Sequence, residues 1–419
     1  MSVHPGSYRK RMIQGPWSLC GSEADRLRGA VVIPALDEAR QLPATLESLA
    51  ANDVNYLECW LVLVVVNRPE NAPSGWVEGN RLTLAWLQRN RRLVPHLAWV
   101  DASSGERALP GRFAGAGLAR KIGFDLALGR LAGPDSLLVS LDADTLVQPD
   151  YLAAIEAHFG ADVPDGATLP FCHQPAEDVA GQQAIDLYEL YLRHQLLGLT
   201  LAGSPYAYAS IGSALACRVR GYLAAGGMNR RKAGEDFYFL QQLAKTGGVR
   251  QLAGTCVFPS ARPSNRVPFG TGEKVSRILG GEQPLLFAAV SAFDQLACLL
   301  AAAREQTLFA AERPEGPLAE APGAAAFLVQ QGWPEVRRRL CAQHRSAEAR
   351  LRAFHTWFDA LRSWQLLRYL SMSADKDPLA AVDALLVRAG LQPGGGVAQR
   401  LKRLRQLQQP VTSCLSRQG

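Results

Sequence analysis

SLLVSLDADTLVQPDYL, Ser136–Leu152, joins a short apolar run to two closely spaced carboxylates. Leu137 to Leu141 form a short apolar run of the kind that makes a strand buried on both faces. The run ends at Asp142-Ala143-Asp144, and Pro149-Asp150 marks the start of a helix. Two carboxylates at the end of a buried strand ask for a partner that is cationic or donates hydrogen bonds.

The same arrangement recurs on either side. AVVIP (30–34) is a strand candidate, and LDEARQLPATLESLAAN (36–52) carries Leu42, Leu46 and Leu49 on one helical face. WLVLVVV (60–66) and HLAWV (96–100) are further strands, each closed by a polar residue, Asn67 and Asp101. GAGLARKIGFDLAL (115–128) repeats Leu118, Ile122 and Leu126 at helical spacing before the strand at 137. Short apolar strands alternating with amphipathic helices predict an α/β fold, a mostly parallel sheet covered on both faces. Ligands of such sheets bind beyond the carboxyl ends of the strands. Asp37, Asn67, Asp101, Asp142 and Asp144 should therefore converge on one edge.

Beyond residue 280 the pattern becomes helical throughout, in segments such as LLFAAVSAFDQLACLLAAAREQ (285–306). The turn-rich RPSNRVPFGTGEKVSR (262–277) separates it from what precedes. The expected organisation is an N-terminal tail (1–27), an α/β domain (28–275) and a C-terminal α-helical extension (276–419).

Composition limits the function classes. Of 419 residues, 48% are hydrophobic and 20% charged, the profile of a globular chain. A net charge of +7 favours anionic ligands but is too dilute for a nucleic-acid footprint. The eight cysteines show neither a CxxC pair nor zinc spacing, so reduced thiols in a cytoplasmic protein are expected. The apolar runs near 61–66 and 286–302 are too short or too interrupted to span a bilayer, which leaves only peripheral membrane contact open. The late basic segments, QRLKRLRQ (399–406) among them, read as solvated helix faces.

A DxD triplet placed after a strand suits a hard divalent cation, Mg2+ or Mn2+, which takes one or two carboxylates and leaves positions for phosphate oxygens. A second acidic pair, Glu235-Asp236, lies in GGMNRRKAGEDFYFLQQLAKTG (226–247) at the start of a helix, where acids are also favoured by the helix dipole alone. The loop PSARPSNRVPFGTG (259–272) offers Arg262 and Arg266 to a diphosphate, or is a plain linker. His173 is expected in a buried polar network rather than at a substrate, and His194 in helix packing. YAYASIGSALACR (206–218) is expected to form a β segment on the acceptor side.

In the order and spacing of VVIPALDEA, LVVVNRPEN, GLARKIGFDLAL, VSLDADTLVQPDYL and GGMNRRKAGEDFYFLQQLAKTG, the chain resembles the family 2 glycosyltransferases, which use nucleotide sugars on the GT-A fold. The resemblance covers about residues 28 to 270. It implies a non-processive transfer of a sugar from a UDP- or GDP-sugar to an acceptor hydroxyl, with inversion. By position, Pro34, Glu38 and Asn67 would meet the nucleoside and Arg120 the nucleotide or diphosphate, with Arg262 and Arg266 completing the donor side. Asp142 would meet the donor's ribose or the metal through water, Asp144 would ligate the metal directly, and Asp236 would be the general base beside Glu235.

The chain departs from the family's pattern twice. Asp37 stands where an Asn is usual, and Asn67 where an Asp is usual. Nothing resembles the Gln-x-x-Arg-Trp motif of processive synthases. Two other readings compete. A nucleotidyltransferase would carry a Gly-rich loop after its first strand, and PALDEARQLP (34–43) is not one. A nucleotide-sugar-binding scaffold on a degenerate transferase fold fits the two departures. The acceptor is unassigned, and the helical extension is left with acceptor shaping or homodimer formation.

Overall fold

The computed structural model describes Tyr8 and residues 11–232, 234–264, 270–282, 285–372 and 377–408. The chain divides into two compact units. The first takes residues up to Ile185 together with Ser210–Leu279, and the second Asp186–Ala209 with Gly280–Gln408.

In chain order the first unit begins with β1 (Cys20–Gly21), β2 (Gly29–Ala35), α1 (Leu42–Ala50), α2 (Val54–Leu57), β3 (Trp60–Asn67), α3 (Ser74–Arg89) and β4 (Leu97–Ala102). There follow α4 (Ala116–Ala127), β5 (Leu137–Ser140), β6 (Leu146–Val147), α5 (Tyr151–Gly160) and β7 (Gly166–Thr168). The long helix α6 (Val179–Leu201) starts in this unit and ends in the other. The chain then adds β8 (Leu215–Arg218), α7 (Val219–Ala224), α8 (Glu235–Thr246), β9 (Val249–Gln251), β10 (Val257–Phe258) and α9 (Thr271–Leu279).

Eight strands make one sheet in the order β1-β4-β3-β2-β5-β8-β7-β9. All eight residues of β3 and all four of β5 are buried, which is why both read as unbroken apolar runs. Strands β4, β3, β2 and β5 run parallel, as the strand-helix alternation predicts. Strand β8 instead lies antiparallel to both β5 and β7. The sheet is thus mixed at one side because the chain returns to it from α6 and the 206–214 segment rather than through a strand-helix-strand crossover.

The register opens a crevice in the middle of this sheet. Strand β2 pairs with β3 from Gly29↔Trp60 to Ala35↔Val66, but with β5 only from Gly29↔Leu137 to Val32↔Ser140. From β2 the chain moves outward to β3 and β4, then crosses back to β5 on the other side, so the strand order reverses at β2/β5. That reversal is where open α/β sheets place their ligands. Pro34, which has no N–H for a ladder, sits beyond the last β5 partner.

Helix α4 covers β2 and β3 closely, because Gly123 faces them. A Cβ at Gly123 would lie 2.3 Å from Val32 Cγ1 and 3.0 Å from Val65 Cγ2. Behind α4 is a buried polar knot. Tyr8 and Tyr222 both donate their hydroxyl protons to Asp125 Oδ1 at 2.7 Å, and Lys121 Nζ donates to Asp125 Oδ2 at 2.8 Å and to the Tyr8 hydroxyl at 3.0 Å. The Ile13 amide donates to Asp125 Oδ2 at 2.8 Å.

The second unit is helical: the last part of α6, then α10 (Val290–Arg304), α11 (Thr307–Ala310), α12 (Pro322–Gln330), α13 (Trp333–Gln343), α14 (Ala347–Trp357), α15 (Ala360–Ser371), α16 (Pro378–Arg388) and α17 (Val397–Gln408). Its core holds Leu296, Leu328, Trp333, Phe354 and Phe358, all fully buried. Glu189 of α6, also fully buried, accepts from Arg193 Nε at 2.8 Å and from Arg405 Nε and Nη2 at 2.7 and 2.9 Å, which ties α17 to α6. Asp383 of α16 accepts from Arg400 Nε at 2.8 Å in the same manner. Among the described residues no helix is long and apolar enough to cross a membrane.

Candidate functional site

The carboxyl end of β5 is held from three directions. The Leu141 amide donates to the Val32 carbonyl at 3.1 Å, and the Thr145 amide to the Asp142 carbonyl at 3.1 Å, closing a turn around Ala143. Thr45 Oγ1 on α1 donates to the Ala143 carbonyl at 2.9 Å. Gln174 Nε2 donates to the carbonyls of Asp144 at 2.8 Å and of Phe258 at 2.6 Å, joining this turn to the ribbon formed by β6 and β10. With the backbone so bound, the two aspartate side chains are delivered into the crevice.

Arg120 of α4 organises one side. It is buried, its Nε donates to Ser140 Oγ at 2.8 Å, Nη1 donates to Glu235 and Nη2 to Asp142. Burial works against its charge, but the carboxylates of Asp142, Glu235 and Asp236 outweigh that and hold its pKa above the ordinary arginine value. Gly212 makes room for it: a Cβ there would come within 2.3 Å of Arg120 Nη2.

Arg262, in the loop after β10, organises the other side. Its Nε donates to Asp144 Oδ2 at 3.0 Å, Nη2 lies 2.9 Å from the same oxygen, and Nη2 also donates to Glu38. Each aspartate of the triplet thus has its own arginine, and Glu38 and Glu235 are joined to them through those arginines.

Glu235 and Asp236 open α8, and the chain enters that helix through Gly234 at φ +69°, the left-handed region. Burial pushes Glu235 up to about 7; Arg120 pulls it down and Asp236 adds to the rise. Asp236 is raised by burial, against Arg120 and the Phe237 amide, which donates to its Oδ1 at 2.7 Å. A native carboxyl with a raised pKa holds its proton more tightly than the unfolded chain does. The stability attached to Glu235 is therefore complete below pH 4.5 and is lost as pH rises from there to about 7. Each unit crossed is worth at most about 1.4 kcal/mol. Urea unfolding at pH 5 and pH 7.5 should show this loss in the wild type and a flatter profile in Glu235→Gln; an unchanged slope in the variant would remove Glu235 as its source.

Pro34 sits on β2 at the crevice. Asn67 is buried and its amide is spent on the fold: Nδ2 donates to the carbonyls of Ala35 at 3.1 Å and Val65 at 3.2 Å. Asn80 joins it to the first turn, with Nδ2 donating to the Asn67 carbonyl at 2.9 Å and Oδ1 accepting from the Asp37 amide at 2.9 Å. Asp37 takes φ +55° there, where a short polar side chain is tolerated. Asp101 does not join the others. Its Oδ1 accepts from the amides of Ser103 at 2.9 Å and Ser104 at 3.0 Å and from Ser103 Oγ, so it stabilises its own turn.

Arg266 lies outside the described residues. His173 is buried, its ring edge-on to Phe171 with centroids 5.8 Å apart. His194 is fully buried beside Phe287 and Phe293 in the helical unit, where burial pushes its pKa down to about 3 and keeps it neutral. Reasoning from sequence missed Ser140, Thr45 and Gln174. Ser140 was findable as the one polar residue inside an apolar strand; Thr45 and Gln174 act through backbone carbonyls, for which sequence carries no signal.

Carboxylate oxygens are the ligand type that a hard divalent cation takes, and here both aspartates already face arginines, Asp142 facing Arg120 and Asp144 facing Arg262. Among the described residues no three or more His, Cys, Asp or Glu side chains converge to hold a metal ion.

No family model and no curated protein matches the chain. Among solved structures, S. aureus TarS 1–349 in complex with UDP is 14% identical, covering 79% of this chain and 91% of its own with a TM-score of 0.40. The same fragment in complex with UDP-GlcNAc is 12% identical over the same shares, with a TM-score of 0.38. The mannosyltransferase PcManGT from Pyrobaculum calidifontis, in complex with GDP-Man and Mn2+, is 17% identical, covering 87% of this chain and 91% of its own with a TM-score of 0.39. The chemistry of the site is decided by its own residues.

Proposed function

We propose that this chain is a glycosyltransferase that moves a sugar from a nucleoside-diphosphate donor to an acceptor hydroxyl with inversion at the anomeric carbon. The observation that carries the reading is Arg120, which gathers the strand-end Asp142 and the helix-start Glu235 into one buried cluster at the β2/β5 crevice. The order of motifs along the sequence supports it independently.

In this reading Pro34 and Glu38 line the nucleoside side, with Asn67 behind them holding the Ala35 carbonyl at the end of β2, Asp142 and Asp144 would hold a divalent cation, and Arg262 serves the diphosphate. The cation, when bound, offsets the negative charge that grows on the departing diphosphate. Asp236 takes the proton of the acceptor hydroxyl as that oxygen forms its bond to the anomeric carbon and the electrons of the broken bond leave with the diphosphate. A raised pKa suits Asp236 to this task, since a base acts best when its pKa approaches the working pH. Arg120, anchored on Ser140, keeps Asp142 and Glu235 in place by one directed bond to each and takes no proton itself.

Calorimetric titration with UDP, GDP and their sugars, in Mn2+ or Mg2+ and then with chelator, tests this. The expected result is metal-dependent binding of one nucleotide, weakened at least about tenfold in Asp144→Ala, the equivalent of losing one charge-assisted contact. Folded protein that binds no nucleotide would overturn the reading in favour of a degenerate scaffold.

A further inference from the structure

The turn between α7 and α8 places Arg230, Arg231 and Lys232 in succession, all exposed. Its backbone is seated tightly on the start of α4. A Cβ at Gly115 would lie 2.7 Å from the Lys232 carbonyl oxygen, and one at Gly117 would lie 2.4 Å from that of Arg231 and 2.9 Å from Glu235 Cβ. Asn229 secures the turn at both ends: Oδ1 accepts from the Arg231 amide at 3.1 Å and Nδ2 donates to the Glu235 carbonyl at 2.9 Å. The three cations are thereby fixed beside the carboxylate pair at the start of α8.

The two arginines of the turn lie over aromatic rings. The Arg231 guanidinium is 3.7 Å from the centroid of Tyr238. Arg230 and an exposed arginine from a different loop, Arg112, both lie on Phe113, at 5.9 and 4.8 Å. Among the described residues none of these four cations is paired with a carboxylate. Counterbalancing the buried acids is not their role either, since Arg120 has that position and its donors are directed at Asp142 and Glu235. Four like charges held together, none of them ion-paired, create a local field that draws anions. Guanidinium groups bind carboxylate and phosphate through paired donors.

We propose that Arg112, Arg230, Arg231 and Lys232 form the wall of the acceptor site, and that the acceptor is a saccharide bearing a phosphate or a carboxylate. The inference rests on the transfer reading above and adds the class of its acceptor.

The test compares binding of glucose 6-phosphate, glucuronate and uncharged glucose to the full chain by calorimetry or saturation-transfer NMR. At low salt at least one charged sugar should bind about tenfold more tightly than glucose, the sum of two or three exposed ionic contacts. The advantage should vanish at high salt and in Arg230→Gln/Arg231→Gln/Lys232→Gln; Arg112→Gln, which leaves the turn intact, should remove part of it. A preference for glucose 6-phosphate alone assigns phosphate, and one for glucuronate alone assigns carboxylate. Glucose binding as tightly as either, or an advantage that survives in the triple variant, overturns the proposal. UDP and GDP titrations of the wild type separate the two failures. Nucleotide binding without anion preference sinks this inference alone, whereas absence of nucleotide binding removes the transfer reading and this inference with it.

Discussion

Asp236→Asn lowers the rate of sugar transfer by ~10²- to 10⁴-fold and leaves nucleotide binding in place: that is the expected result for a residue whose one task is to take a proton. Asparagine has nearly the same shape, and its side-chain oxygen can still accept from the Phe237 amide, now 2.7 Å from Asp236 Oδ1, so the start of α8 is preserved. What is lost is basicity. The two effects are read separately, turnover by release of nucleoside diphosphate and binding by calorimetry. Turnover near the wild-type rate in pure, folded variant would move the base to another group, and Glu235 would be the first candidate because its pKa stands at about 7.

Arg120→Met has the largest expected effect on stability, a loss of about 3–5 kcal/mol. Methionine fills much of the space but leaves Asp142 and Glu235 without their shared partner, and Glu235 is as thoroughly buried as the arginine. The cost of such a change lies less in the lost bonds than in the charges left behind. It should therefore shrink as pH falls and those carboxyls take up protons. Chemical denaturation at pH 7.5 and pH 5 measures both the size and the trend. A loss below about 1 kcal/mol at pH 7.5 would show that the cluster is not held by this ion pair.

The parallel half of the sheet was legible because burial on both faces leaves its mark on every residue of a strand: WLVLVVV admits no other reading once Asn67 closes it. The strand-end acids were legible for the same reason, as charges that interrupt an apolar run. Position after a strand, however, does not say where a side chain turns. Asp101 meets that description as well as Asp142 does, yet Ser103 and Ser104 offer it nearer donors, and local hydrogen bonds prevail over a distant site.

The pairing of Arg120 with Glu235 joins residues 115 positions apart, and that of Arg262 with Glu38 joins residues 224 apart. No local pattern encodes contacts of that range. The same limit applies to α6, an unbroken helix in sequence whose last part packs into the helical unit. Its amphipathic spacing announces a helix and is silent about which core receives it.

Tyr8 lies in the segment that sequence alone treats as a tail, yet it is among the largest fully buried side chains of the protein. Its hydroxyl, with that of Tyr222 and the Ile13 amide, closes the coordination of Asp125, and it shares Lys121 with that carboxylate. Lys121 is the immediate neighbour of Arg120 on α4. The practical frontier of the protein therefore lies upstream of residue 8, and shortening the gene to the first strand at Gly29 would strip the cover from a buried lysine-aspartate pair one residue away from the arginine on which the candidate site depends.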